Sequence, residues 1–262
     1  MLNSFFNGIT TFNVNNIFSS IANYANNYKK GLEYFKIKTV YQGNCSLPSI
    51  IFINGFLQKD EFVNDWLNAV SQKFPNNTKI WVNWDSKKLE ELYTLIPNIS
   101  ESMQWFLLDF WYTAELNAEK AGIRLANELI KRNNKSGYII MGHSLGCRVA
   151  YNAVKRINHN VKIDSMYLLS GAIGNMGWEI IAKRVKNKIY NFYSPEDPIL
   201  YVYQLANVGL AETPIGIAPI SLYSSKIKNK NVTKILNKYN NSSNLIHMRY
   251  KEAFREILQK TN

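Results

Sequence analysis

Short apolar runs alternate with stretches of helical spacing along most of the 262-residue chain. Ser49-Ile50-Ile51-Phe52-Ile53 is apolar without alternation, as expected of a strand covered on both faces. Residues 33–41 alternate instead, which suits an edge strand. Residues 79–84, 138–141, 162–170 and 188–193 read as further strands. Between them, Phe62, Trp66, Val70 and Phe74 recur at helical spacing and stop at Pro75. A short helix follows Asp85-Ser86. Residues 100–132 form a long helical stretch, with room for a break, closed by Asn133-Asn134-Lys135-Ser136-Gly137. Residues 178–185 and 245–260 are helical as well. Strands alternating with helices specify a parallel sheet with helices on both faces. Neither an internal repeat nor a linker divides the chain. The expectation is one α/β domain over 33–262, preceded by a separate segment, 1–32.

The most informative junction is at 138–152. Tyr138-Ile139-Ile140-Met141 runs into Gly142-His143-Ser144-Leu145-Gly146, and a helix-forming stretch follows at once. A Gly-x-Ser-x-Gly motif between a buried strand and a helix is the context of a nucleophile elbow. The turn holds Ser144 in strained backbone geometry and lifts its hydroxyl clear of the sheet, while the two glycines let strand and helix pass without a Cβ clash. The helix N-terminus supplies amides and partial positive charge where an oxyanion would form.

A serine hydroxyl needs a base to take its proton, and the base needs a carboxylate to orient it. The chain has three histidines. His143 lies inside the elbow, pointing away from Ser144, and reads as a packing residue. His159 lies between helix and strand at the opposite end of the sheet. Elimination leaves His247, at the start of the last helix, against the plainer reading of a surface histidine capping that helix. The order Ser, acid, His places the carboxylate between 145 and 246. Asp164 begins a strand and so sits at the far rim. Asp197, in Ser194-Pro195-Glu196-Asp197-Pro198, follows a strand on the rim where parallel sheets gather their chemistry. It could equally cap the next helix, and Glu196 is the adjacent alternative. The oxyanion hole would take the backbone N–H of Leu145 and a second from Asn54-Gly55-Phe56, most naturally that of Phe56.

Composition refines this picture at the edges. With 46% hydrophobic and 19% charged residues, the chain is an ordinary globular protein. Cys45 and Cys147 suggest neither a disulfide framework nor a zinc site, and no metal or cofactor motif is present. The net charge is +12 and uneven: residues 226–262 carry nine Lys or Arg against two Glu. That end suits an anionic membrane surface, or is simply a solvated lysine face; no nucleic-acid fold signature accompanies it. Residues 1–28 carry no charged side chain, and Phe5, Phe6, Phe12 and Phe18 recur among Asn, Ser and Thr. This is neither a secretory signal nor a transmembrane helix. The expected location is the cytoplasm or the periphery of a membrane.

Taken together, these features resemble the α/β-hydrolase superfamily. Within it the chain is similar to the hydrolase-like family of transmembrane and coiled-coil domain-containing proteins and related bacterial lipase-like proteins. The residues that carry this are Phe52-Ile53-Asn54-Gly55-Phe56-Leu57, Asp65-Trp66, Trp84-Asp85-Ser86, the elbow, Leu168-Leu169-Ser170-Gly171-Ala172 with Trp178, Asn191-Phe192-Tyr193-Ser194 with Asp197 and Leu200, and His247 with Tyr250. They span residue 49 to the C-terminus. The resemblance implies a serine hydrolase with Ser144, Asp197 and His247 as its triad. The chain departs from that family in lacking membrane spans, and its first 28 residues match nothing in it. Aromatic and apolar stretches near 95–115 and 199–225 fall where lid insertions occur, and would line an acyl-binding cleft or pack as core helices. With the basic C-terminal end, the expected substrate is a lipid or phospholipid acyl ester. The alternative is a catalytically inactive adaptor that binds membrane or protein through its N-terminal segment. The sequence fixes no oligomeric state.

Overall fold

The computed structural model describes residues 32, 34–55, 64–86, 101–206, 212–240 and 246–261. Among these residues seven strands form a single sheet: β1 (Phe35–Tyr41), β2 (Ser49–Ile53), β3 (Lys79–Trp84), β4 (Tyr138–His143), β5 (Ile163–Leu169), β6 (Ile189–Tyr193) and β7 (Ile227–Asn231). Their spatial order is β1-β3-β2-β4-β5-β6-β7. β1 runs antiparallel to β3, and every other pairing is parallel. The carboxyl ends of β2 to β7 therefore lie along one rim.

The unbroken apolar runs are explained by the two cores they feed. In β2, Ile51 and Ile53 enter one core while Ile50 and Phe52 enter the other. In β4, Tyr138 and Ile140 alternate with Ile139 and Met141 in the same way. α2 (Glu101–Arg132), α3 (Leu145–Arg156) and α4 (Trp178–Arg184) cover the first face, where Leu125, Leu129, Val149, Ala153 and Trp178 are buried. α1 (Asn64–Lys73) and α7 (Tyr250–Gln259) cover the second with Trp66, Val70, Tyr250 and Phe254. Each fully buried side chain of this size contributes about 1.5–3 kcal/mol to folding.

Several details differ from the pattern read along the chain. β7 went unrecognised because Ile227-Lys228-Asn229-Lys230-Asn231 has one apolar residue; as an edge strand it buries Ile227 and leaves both lysines exposed. α5 (Pro198–Ala206) follows β6, and α6 (Thr233–Leu236) follows β7. The closing helix is preceded by a 3-10 turn, Ile246–Arg249, which carries His247. α2 runs unbroken for 32 residues. From the stretches read as lid or core, Trp111, Leu200, Ile215, Ile217 and Ile220 are buried in the first core. Residues 1–31 and 56–63, which include Phe56 and nearly all of the N-terminal segment, lie outside the described residues. Among the described residues, no helix is long and apolar enough to cross a membrane.

Candidate active site

β4 ends at His143 and α3 begins at Leu145, leaving Ser144 alone at the corner. Its backbone sits at φ 53° and ψ −124°. That is a region that L residues avoid; it costs on the order of 1–3 kcal/mol and persists only where surrounding structure enforces it. Here the enforcement is visible. Ser144 N–H donates to Leu169 O at 2.9 Å and Ser144 O accepts from Ala172 N at 3.1 Å, so the end of β5 clamps the turn on both sides. The glycines do what the motif requires. A Cβ on Gly142 would lie 2.8 Å from the Gly146 carbonyl, and one on Gly146 would lie 2.4 Å from Ile53 O. Leu145 opens α3, so its N–H has no acceptor four residues back within the helix. The Ser144 hydroxyl is buried and hydrogen-bonds to nothing among the described residues.

Asp197 arrives from the end of β6. The turn before it is held by Ser194 N–H to Gly216 O at 2.9 Å, by Asp197 N–H to Ser194 O at 3.2 Å, and by a 2.8 Å hydroxyl pair between Ser194 and Thr233. Its side chain is fully buried and divides its oxygens between two tasks. Oδ1 accepts from the Ile199 N–H at 3.2 Å, capping the first turn of α5. Oδ2 lies 2.7 Å from His247 Nδ1. The cap and the imidazole partner, alternatives in the sequence, coexist. Burial pushes the carboxyl upward in pKa, but His247 and the hydroxyl of Ser170 outweigh it, and Asp197 is held below its ordinary value. Glu196, the neighbouring alternative, instead accepts from Asn237 Nδ2 at 3.3 Å, away from the imidazole.

His247 is 5% exposed. Its backbone carbonyl accepts from His143 Nε2 at 3.2 Å, and the two rings lie 5.0 Å apart. This hydrogen bond adds to the packing role read for His143. Its ring also contacts Trp66 and Tyr250. Because a carbonyl only accepts, Nε2 of His143 carries the hydrogen. Burial first, and then the charge of His247, push the pKa of His143 down to about 3, so it stays neutral across the physiological range. His159 is exposed in the α3–β5 turn, remote from this rim.

Ser170 was not singled out as a site residue, although it lies within the Leu168–Ala172 stretch that supported the family resemblance. It is fully buried at φ 48°, donates to Asp197 Oδ2, and its Oγ lies 3.0 Å from His247 Nδ1. Asn133, Ser144 and Ser170 are the non-glycine residues with positive φ among those described, and two of the three are at this site.

A mostly parallel seven-stranded sheet with an antiparallel first strand, helices on both faces and a strained serine turn after β4 is an α/β-hydrolase fold. The chain belongs to the family described as "Protein of unknown function (DUF726)", whose model matches residues 93–262. No curated protein matches the sequence. Likenesses to solved structures are distant. Cfl2 from Burkholderia cenocepacia is 15% identical with a TM-score of 0.35, over 56% of this chain and only 41% of its own. Bacillus licheniformis lipase BlEst2 is 12% identical with a TM-score of 0.37, over 77% and 90% of the two chains. Acetyl xylan esterase 1 from Thermoanaerobacterium sp. JW/SL YS485 is 10% identical with a TM-score of 0.38, over 88% and 93%.

Proposed function

We propose that this protein is a serine hydrolase that cleaves a carboxylic ester through Ser144, His247 and Asp197. The observation that carries this reading is the buried 2.7 Å pair between His247 and Asp197, set on the rim where the strained turn holds Ser144. Ser144 Oγ attacks the carbonyl carbon as His247 Nε2 takes its proton; Asp197 stabilises the resulting imidazolium. The tetrahedral oxyanion is held by the Leu145 N–H and a second donor, assigned to Phe56. Collapse expels the alcohol with the proton from His247 and leaves Ser144 acylated. Water then attacks by the same route, releasing the acid and restoring the hydroxyl. Ser144 and His247 are not hydrogen-bonded in this state, and such bonds commonly tighten only when substrate is bound.

The finer proposal is a lipid or phospholipid acyl ester. Met248 and Tyr201 supply exposed apolar surface, each 42% accessible, one next to His247 and the other on the helix that Asp197 caps. The basic 226–262 end favours an anionic surface. Nitrophenyl esters of graded chain length, with phospholipid vesicles alongside, test both levels. Turnover should rise with chain length and vanish in Ser144→Ala and His247→Asn. Turnover unchanged by these substitutions would remove the triad, and a preference for acetate would remove the lipid.

A further inference from the structure

We propose that Ser170 is a positioning residue for the His247 imidazole: its hydroxyl oxygen adds a second acceptor at Nδ1 beside Asp197 and so fixes the ring with Nε2 free to act as a base. This rests on the reading of Ser144, Asp197 and His247 just given. A hydroxyl has one proton, and Ser170 gives it to Asp197 Oδ2. Toward His247 Nδ1, 3.0 Å away, Oγ then presents only lone pairs. That contact is attractive only when Nδ1 bears the hydrogen, which is shared with Asp197 Oδ2 at 2.7 Å. A neutral ring so held has its lone pair on Nε2, the atom required to take the proton of Ser144. Asp197 alone leaves the ring free to rock about a single contact; the Ser170 oxygen adds a second point beside it.

The surroundings argue against an incidental serine. Ser170 is fully buried, so no solvent competes for its hydroxyl. Its backbone is held at φ 48° by its N–H to Phe192 O at 3.1 Å, and its neighbours Leu169 and Ala172 are the residues that clamp the Ser144 turn. The strained end of β5 thus places one side chain against the base and acid while its backbone fixes the nucleophile. His143, through the His247 carbonyl, and the buried Tyr250 phenol, which faces Asp197 and Ser170, are titratable groups beside the pair, with Lys251 near His143 and Cys147 near Tyr250. Neither ring supplies an acceptor at Nδ1.

Two-bond proton–nitrogen NMR of the full ¹⁵N-labelled chain at pH 8 reads the tautomer directly. The wild type should show His247 with hydrogen on Nδ1; hydrogen on Nε2 overturns the proposal without any variant. Ser170→Ala should keep that tautomer, because the Asp197 carboxylate still accepts from Nδ1, but should move the Nδ1 proton resonance, whose second acceptor is gone. It should also slow acylation by a fluorophosphonate about 10- to 100-fold, with the concentration for half-saturation unchanged. Ser170→Gly, which relaxes the backbone, should show the same kinetic loss. A serine kept only for folding predicts a wild-type Nδ1 proton resonance and rate in whatever variant folds, and that result also overturns the proposal. If the wild type does not react with the probe, the assignment of Ser144 fails, and the Nδ1 proton resonance in wild type and Ser170→Ala decides the role of Ser170 alone.

Discussion

At the scale of single residues, the site depends on which groups are buried with which partners. Elimination among three histidines pointed to His247 and chain order to Asp197, and the structure pairs these two side chains. Ser170 was not legible, because serine is common and its role exists only where the ends of β5 and β6 meet. The hydrogen bond of His143 was hidden for a similar reason: its partner is a backbone carbonyl 104 positions away. Two predictions belong here. The first concerns stability against pH. His143 falls from 6.5 to about 3 on folding, so the unfolded chain binds a proton that the folded chain refuses. Stability should be complete above pH 6.5 and decline steadily as pH falls toward 3. The lowered carboxyl of Asp197 acts in the same direction at the acid end. Denaturant midpoints measured from pH 7 to 4 should trace this slope, and His143→Gln, which keeps a donor without the titration, should flatten it. The second concerns the divided carboxylate. Asp197→Asn and Asp197→Ala should both lower kcat on an ester by about 10³- to 10⁴-fold. The alanine variant should lose about 1 kcal/mol more stability, because only it gives up the cap at Ile199. Equal stabilities would mean that Oδ1 caps nothing of consequence.

At the scale of elements, the elbow is the best-specified part of the chain. Gly142 and Gly146 announced a close crossing, and Cβ atoms there would meet backbone with no flexible side chain to give way. Gly146→Ala should therefore destabilise by roughly 1–3 kcal/mol or more and slow acylation of Ser144, since relief requires β2 and α3 to separate. A thermal melt matching the wild type would contradict that crossing. Strands with two buried faces were equally plain, because both cores demand apolar residues at successive positions. β7 was hidden for the opposite reason: an edge strand needs few apolar contacts and is kept from pairing further by its lysines. The boundary of the closing helix was blurred by the 3-10 turn that presents His247, a local tightening that apolar periodicity does not record.

At the scale of the whole molecule, one topological fact organises the chemistry. Parallel strands bring Ser144, Ser170, Asp197 and, after β7, His247 to a single rim although they are spread over a hundred positions. The charge distribution adds a separate expectation. If the basic end seats the protein on anionic membranes, reversing the exposed Lys228 and Lys230 to Glu should weaken binding to anionic vesicles roughly tenfold or more, and added salt should mimic this. Hydrolysis of a small soluble ester should be unaffected, so surface attachment and chemistry can be separated. The central claim, that Ser144 is a nucleophile activated by the His247–Asp197 pair, is tested most directly by mass spectrometry of the chain after reaction with a fluorophosphonate. The account predicts loss of fluoride and one phosphonyl adduct, on the peptide containing Ser144, strongly slowed in His247→Asn and absent in Ser144→Ala. Labelling that persists undiminished in Ser144→Ala would contradict it.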